Sequence, residues 1–290
     1  MPLAVPRKLD DPPERDLTRA PPGTVDTHVH IFPPRVFAAI RRWFDENAWE
    51  IRFPYDAEQV DAFMAARGME RYLGLHYPHV AGMGEALNAF ALEFSRTHPR
   101  CIPCASVLPG EPRAAAILDA ALGAGARAVK IHCHVQCIAP DDARMIEVCE
   151  RVVAHDAVLV IHCGNEPELP GYACDVRSLA TAAGFDRMMR RFPEMKVIVP
   201  HMGAGEVNAY ASLLARYPRM YLDTAMALAG YFPFEHTTEV LHAHSDRILY
   251  GTDFPHIPFA WDRDLRALQS AHLPPATLHR ILTAGTVFSF

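Results

Sequence analysis

A single-domain α/β protein folded as a (β/α)8 TIM barrel is what this sequence predicts, on three observations. The chain has 290 residues, close to the roughly 250 that one such barrel uses. Short β-branched runs alternate with longer amphipathic segments from residue 24 to the end, the pattern of parallel strands joined by helices. The strand-like runs number eight, which favours a closed barrel over a doubly wound open sheet.

The predicted strands are 24–32 (TVDTHVHIF), 70–76 (ERYLGLH), 101–108 (CIPCASVL), 126–132 (ARAVKIH), 157–163 (AVLVIHC), 196–201 (KVIVPH), 220–224 (MYLDT) and 247–253 (RILYGTD). Helical patterns fall between them. The segment 56–68 opens on Asp56, a good N-cap, and closes on Gly68; 111–125 likewise ends in Gly. Segments 140–156, 174–192 and 204–217 keep the same rhythm. Residues 35–55 are longer than a plain strand-to-helix connection and predict a helical insert after strand one, over the barrel mouth. Residues 1–23, dense in Pro and charge, read as an extended or disordered lead-in, and 24–290 as one barrel domain.

Composition excludes several classes. The net charge is −6 with no Lys/Arg-rich run, so nucleic acid is not an expected partner. No apolar run approaches the about 20 residues that span a bilayer, and the N-terminus lacks a signal-peptide core; the expectation is a cytoplasmic protein. Seven cysteines (101, 104, 133, 137, 149, 163, 174) are expected to be reduced thiols. Cys101-x-x-Cys104 has no second C-x-x-C and sits in an apolar strand, which reads as core.

Histidine is the unusual residue: there are 16. At that frequency about one H-x-H arises by chance. Three occur, at His28/His30, His132/His134 and His242/His244, so position must choose among them. TIM barrels carry their sites at the C-terminal ends of the strands. His28 and His30 end strand one, Lys130 and His132 strand four, His162 strand five, His201 strand six and Asp253 strand eight. Residues two apart in a strand share a face, so His28 and His30 can both look into the barrel. Imidazoles with a carboxylate suit zinc, with manganese, iron or nickel as alternatives, and an open position for water. His242/His244 lies in a helix-to-strand connection at the opposite end and reads as the chance match.

The order Asp26-Thr27-His28-Val29-His30, VKIH, VLVIHCG, VPHMG and ILYGTDFPH resembles the amidohydrolase superfamily. More narrowly it is similar to its amidohydrolase-related branch of aminocarboxymuconate-semialdehyde decarboxylase-like enzymes and lactone hydrolases. KIHCHVQCIAPDD (130–142) and YGTDFPH are the most specific stretches, and the likeness spans about residues 24–285. The resemblance implies His28, His30, His162 and Asp253 as ligands of one divalent metal, with Asp253 also the general base. It implies that His201 polarises a substrate carbonyl or joins a second metal. Lys130 is either a carboxylated bridge between two metals or a contact to substrate or salt-bridge partner. One departure is Ile281-Leu282-Thr283-Ala284-Gly285, where related chains often end in an Ile-Leu-x-x-Asn-Ala-like turn.

Each residue has a plainer alternative. Four buried polar strand ends without a shared ion would be costly, whereas His201 could serve a neighbouring loop. His132, His134 and His256 are candidate pocket residues, with an outer loop the rival for His134. His76 and His79 divide between pocket and surface, and Trp261 reads as pocket lining. Trp43, Phe44, Trp49 and Phe53 read as packing first and as a substrate or dimer contact second; a homodimer is kept as an option. The activity expected is metal-dependent hydrolysis of an ester, lactone or amide of a small carbonyl substrate. The alternative is non-oxidative decarboxylation of an aromatic or muconate-type acid, which calls for cations such as Lys130 or Arg177 aimed at the carboxylate. The remote alternative is a non-catalytic ligand-binding barrel.

Overall fold

The computed structural model describes residues 10–165, 169–284 and 287. Eight parallel strands follow in chain order around one sheet: β1 (Val25–His30), β2 (Arg71–Leu75), β3 (Cys101–Ser106), β4 (Ala128–His132), β5 (Val158–His162), β6 (Lys196–Val199), β7 (Met220–Asp223) and β8 (Ile248–Leu249). The eighth closes on the first through Thr27 N–H to Tyr250 O (2.9 Å), Asp253 N–H to His28 O (2.8 Å) and His30 N–H to Phe254 O (2.7 Å). The fold is a single-domain (β/α)8 barrel.

Helices wrap the outside: α1 (Pro34–Asn47), α2 (Ala57–Ala66), α3 (Gly84–Thr97), α4 (Ala114–Gly123), α5 (Met145–Ala154), α6 (Ala182–Arg191), α7 (Val207–Leu214), α8 (Thr237–Ala243), α9 (Arg263–Ser270) and α10 (Pro275–Thr283). Asp56 caps α2 as its sequence predicts: its side chain accepts from Gln59 N while the Gln59 side chain accepts from Asp56 N, both at 2.9 Å. α1 is the predicted insert, laid over the mouth. Trp43 Nε1 donates to Gly171 O (3.1 Å) and Trp49 Nε1 to His256 O (2.8 Å). No helix among the described residues is long and apolar enough to cross a membrane.

Alternation along the strands makes two cores. Outward residues such as Val129, Ile131, Leu159 and Ile161 pack under the helices. Inward residues Val25, Leu73, Leu75, Ile102, Cys104, Ala128, Val158, Val160 and Ile198 fill the lower barrel. Continuing the inward row upward reaches Lys130 and His132 on β4 and His162 on β5. In β1 a register shift between Asp26 and Val29 changes the parity, so Val25, His28 and His30 can all face inward.

Of the lead-in, residues 1–9 lie outside the described residues. Residues 10–23 form a strap with one tight turn at Glu14–Asp16 and bury Leu17 and Ala20. Asp11 anchors the strap by pairing with Arg52 (3.2 Å) and Arg263 (2.5 Å). In the C-terminal departure, Ile281, Leu282 and Ala284 are buried, and Gly285 lies outside the described residues.

The expectation of seven reduced thiols is corrected: Cys137 and Cys174 form a disulfide, and the other five are buried and free. The partners are 37 residues apart, but they sit on the loops leaving β4 and β5. Parallel pairing of those strands brings both loops to the same end of the barrel, with the two Cα atoms 5.9 Å apart. Cys101 and Cys104 are core residues as expected; burial pushes the Cys101 thiol up to about 12.

Candidate active site

The pocket opens at the C-terminal end of the strands. Its floor carries His30, His132, His162, His201, Asp253 and His256, and its walls carry Trp43, Phe44, Trp49, Tyr77, Tyr172, Phe232 and Phe234. Asp253 is the single carboxylate among the described lining residues, and no Lys or Arg joins it.

Nε2 of His28 stands 3.1 Å and Nε2 of His30 2.9 Å from one oxygen, Asp253 Oδ1. Nδ1 of His28 donates to Asp223 Oδ2 at 2.9 Å. That bond puts the Nδ1 proton on the Asp223 side and leaves Nε2 to face the pocket. Burial opposes charge on His28, yet Asp223 and Asp253 together outweigh it and hold the imidazole above its ordinary pKa. Asp253 is correspondingly held well below the usual carboxylate range: burial pushes it up, and His28 and His30 more than reverse that. Burial, partly offset by Asp253, takes His30 down to about 4. Two imidazole nitrogens meeting an anionic oxygen, at a spot that favours positive charge, fit a divalent metal.

A second chain of bonds fixes the next two histidines. His201 Nδ1 lies 2.7 Å from Ala225 O, and a carbonyl only accepts, so Nδ1 carries the proton. Burial keeps His201 neutral by lowering its pKa. Its Nε2 is then an acceptor for His162 Nδ1–H at 3.2 Å, and the His162 lone pair falls on Nε2. Burial, then the charge of neighbouring His201, puts His162 well below its ordinary value. His162 stacks on His132 (centroids 4.0 Å, planes 8° apart). Donor nitrogens of His132, His134 and His162 all lie within 4.8 Å of one another, as do donor atoms of His28, His30 and Asp253. The structure thus brings His28, His30 and Asp253 into one group and places His162 with His132 and His134.

Lys130 is wholly buried and does not line the pocket; its Nζ has no hydrogen-bond partner among the described residues. Burial lowers its pKa while Asp253 and Asp223 pull it back. His134 is fully buried instead of lying on an outer loop. His256 lines the pocket and stacks on His30 with centroids 4.7 Å apart. Trp261, expected at the pocket, is instead core, packed edge-on to Phe63, because the chain turns outward beyond His256. Trp43, Phe44 and Trp49 are wall residues, while Phe53 packs on Phe254 and Phe63. His76 is buried below the pocket with Nε2 3.0 Å from Cys104 O, and His79 is exposed. Arg177 is exposed and paired with Asp175 (2.8 Å), so it is not aimed at a substrate carboxylate. His242 and His244 lie at the end of α8, outside both groups.

Two carboxylates escaped the sequence reading. Asp223 closes β7 and holds His28 through Oδ2, while its Oδ1 accepts from His201 N and Ala225 N, each at 3.0 Å. Asp26 accepts from His28 N (2.9 Å), Thr252 N (3.1 Å) and Thr252 Oγ1 (2.6 Å), tying β1 to the segment that carries Asp253. The signal for Asp223 was the rule already applied elsewhere, a polar residue ending a strand.

The backbone at the site is left-handed at His201 (φ 56°) and Asp253 (φ 65°), a conformation kept only where surrounding structure enforces it. Gly164 (φ 110°) and Gly203 (φ 85°) let the loops after β5 and β6 touch: a Cβ on Gly164 would strike Gly203 O, and one on Gly203 the Tyr210 ring. Gly164→Ala and Gly203→Ala are each expected to cost more than about 1 kcal/mol. The check is thermal unfolding, and a variant unfolding within a degree of wild type would refute the packing argument.

The amidohydrolase family model matches residues 25–284, and the chain belongs to that family. No curated protein matches the chain. Among solved structures, an uncharacterised TIM-barrel protein of Bordetella bronchiseptica is 19% identical with a TM-score of 0.69, the match covering 91% of this chain and 97% of that one. A 5-carboxyvanillate decarboxylase of Novosphingobium aromaticivorans with bound manganese is 15% identical, TM-score 0.67, covering 95% and 100%. A 2,6-dihydroxybenzoate decarboxylase of Rhizobium is 15% identical, TM-score 0.63, covering 92% and 98%.

Proposed function

We propose that the protein is a metal-dependent, non-oxidative decarboxylase of an aromatic carboxylic acid. The observation that carries this reading is the pocket: flat aromatic walls, Trp43, Trp49, Tyr172 and Phe232 among them, above a floor of histidines with one carboxylate among the described residues. Such walls suit a planar ring. Two similar structures are named as decarboxylases of hydroxylated benzoates, which supports the reading without deciding it, since a shared fold does not fix chemistry.

His28, His30 and Asp253 would hold the metal, which when bound supplies positive charge to orient and neutralise substrate oxygens. The histidine-rich set suits zinc, and manganese is the rival by likeness to the Novosphingobium protein. The remaining work falls to side chains. Breaking the C–C bond to the carboxylate leaves its electron pair on the ring, so a proton must reach that carbon as carbon dioxide departs. Asp253, the one acid among the described residues that line the pocket, carries that proton: deprotonated at rest, it takes it from a phenolic hydroxyl and passes it to the ring carbon. His201, with both ring nitrogens engaged by Ala225 O and His162 Nδ1, orients His162 at the pocket floor. The wall residues exclude water.

Hydrolysis of an ester, lactone or amide is the second reading, favoured by one observation: Asp253 is held deprotonated, the state in which it can serve as base toward water. A panel of hydroxybenzoates and aryl lactones separates the two. Release of carbon dioxide from a hydroxybenzoate, with no acid released from any lactone, is the expected result. The reverse would overturn the proposal in favour of the second reading.

A further inference from the structure

We infer that His256 is a positioning residue for His30: the face of its ring, stacked on His30, sets how that imidazole is presented to the cation site. The inference rests on the reading of His28, His30 and Asp253 as a metal site and deepens it.

The two histidines of β1 are held in different ways. His28 is oriented by a hydrogen bond, Nδ1–H to Asp223 Oδ2 at 2.9 Å, the usual arrangement behind a ligating imidazole. His30 has no such bond. Its Nε2 meets Asp253 Oδ1 at 2.9 Å, while its Nδ1 is buried with no hydrogen-bond partner among the described residues. One contact through Nε2 does not fix the tilt of the ring about that contact. Ring faces do. His256 stacks on His30 with centroids 4.7 Å and planes 20° apart, within the range of offset-stacked aromatic pairs. Phe32 lies nearly parallel to both, 11° from His30 and 23° from His256. Tyr77 meets His30 edge-on, its plane at 86°.

His256 is itself locked. Its N–H donates to Asp253 O (3.0 Å), so the stacking ring and the carboxylate come from one tight turn. Its carbonyl accepts from Trp49 Nε1 (2.8 Å). Phe37 and Phe44 of α1 close on its ring, with centroids 5.8 and 5.3 Å away. The mouth insert therefore reaches the cation site through side-chain contacts, α1 against His256 and His256 against His30. What this position supplies to His30 is a flat face. Phenylalanine keeps that face and removes both nitrogens. Leucine removes the face and stays apolar and of similar bulk.

The test compares those two substitutions in cation binding. Metal-stripped full-length wild type, His256→Phe and His256→Leu are titrated with Co2+ and followed by the visible absorption of the bound ion. The signal assigned to the site is the part lost in His28→Ala/Asp253→Asn. Circular dichroism and thermal unfolding confirm that each variant is folded. His256→Phe is expected to match wild type in affinity and in band position. His256→Leu is expected to bind about 10–100-fold more weakly, the cost of losing the group that orients a ligating histidine, and to show a shifted band. A Leu variant that binds as tightly as wild type overturns the inference. So does a Phe variant as weak as the Leu variant, which would assign the role to a ring nitrogen. Should the Leu variant not fold, His256→Ala is titrated in its place. A wild type that takes up no Co2+ at this site overturns the metal reading itself, so the two failures are told apart without any turnover assay.

Discussion

Asp253→Asn is expected to lower kcat by about 10³-fold or more, the scale of a lost proton-transfer group, while the barrel stays folded. Asparagine is the informative substitution here. It keeps the shape of the side chain and tolerates the left-handed backbone at φ 65°, which a bulky or branched residue would not. What it removes is the charge on the oxygen where His28 and His30 converge at 3.1 and 2.9 Å. With that charge gone His28 loses one of the two carboxylates that raise its pKa, and affinity for a cation at this spot falls with it. Kinetics on the hydroxybenzoate substrate and metal content measured together check both consequences. Stability should respond with a definite sign. Asp253 is held below the usual carboxylate range, so its stabilising contribution is complete above the unfolded value of about 4 and fades as pH falls toward the folded one. Wild type and variant should therefore converge in acid. An Asn variant that turns over within tenfold of wild type would remove Asp253 from the chemistry.

The ends of strands were where the sequence was most legible, because strand spacing and the barrel rule together say which residues reach the mouth. His28, His30, His162, His201 and Asp253 all arrive there, and the strand limits agree to within a few residues, except at the last. Residues 247–253 read as one strand, yet ladder pairing stops at Leu249, since the chain beyond it bends through left-handed Asp253 to reach β1. Contacts set by the stagger between strands were not legible. That His162 pairs with His132 and joins that group follows from the β4–β5 register, which no single segment encodes. The return of His134 toward His132 and His162 was not legible either, because a turn held by Gln136 has no periodicity to read. The Cys137–Cys174 bond needed two loops to meet in space. Asp223 was a different kind of miss: the residue stood at a strand end in plain view, but a carboxylate that positions another ligand leaves no motif of its own.

That makes Asp223 the sharper probe of how the site is assembled. Asp223→Asn should weaken metal binding by roughly 10–100-fold, the usual cost of losing the carboxylate behind a ligating histidine. Both of its oxygens are committed, Oδ2 to His28 Nδ1–H and Oδ1 to the backbone N–H groups of His201 and Ala225. An amide has only one oxygen to divide between those two sides. If the oxygen serves the backbone, its NH2 faces His28 Nδ1 and drives the proton onto Nε2, the nitrogen that would ligate. If the oxygen serves His28, two buried backbone donors meet another donor. Asp223→Ala leaves both sides unpaired and should cost about 3–5 kcal/mol, as when one partner of a buried ion pair is removed. A cation titration and a melting curve on the two variants separate the effects: Asn should mainly weaken the metal, Ala should mainly lower the melting temperature. Because Asp223 works through His28, saturating metal should restore much of the Asn variant's rate, which it cannot do for Asp253→Asn. Cation affinity within twofold of wild type in Asp223→Asn would mean that the His28 tautomer is set by something else.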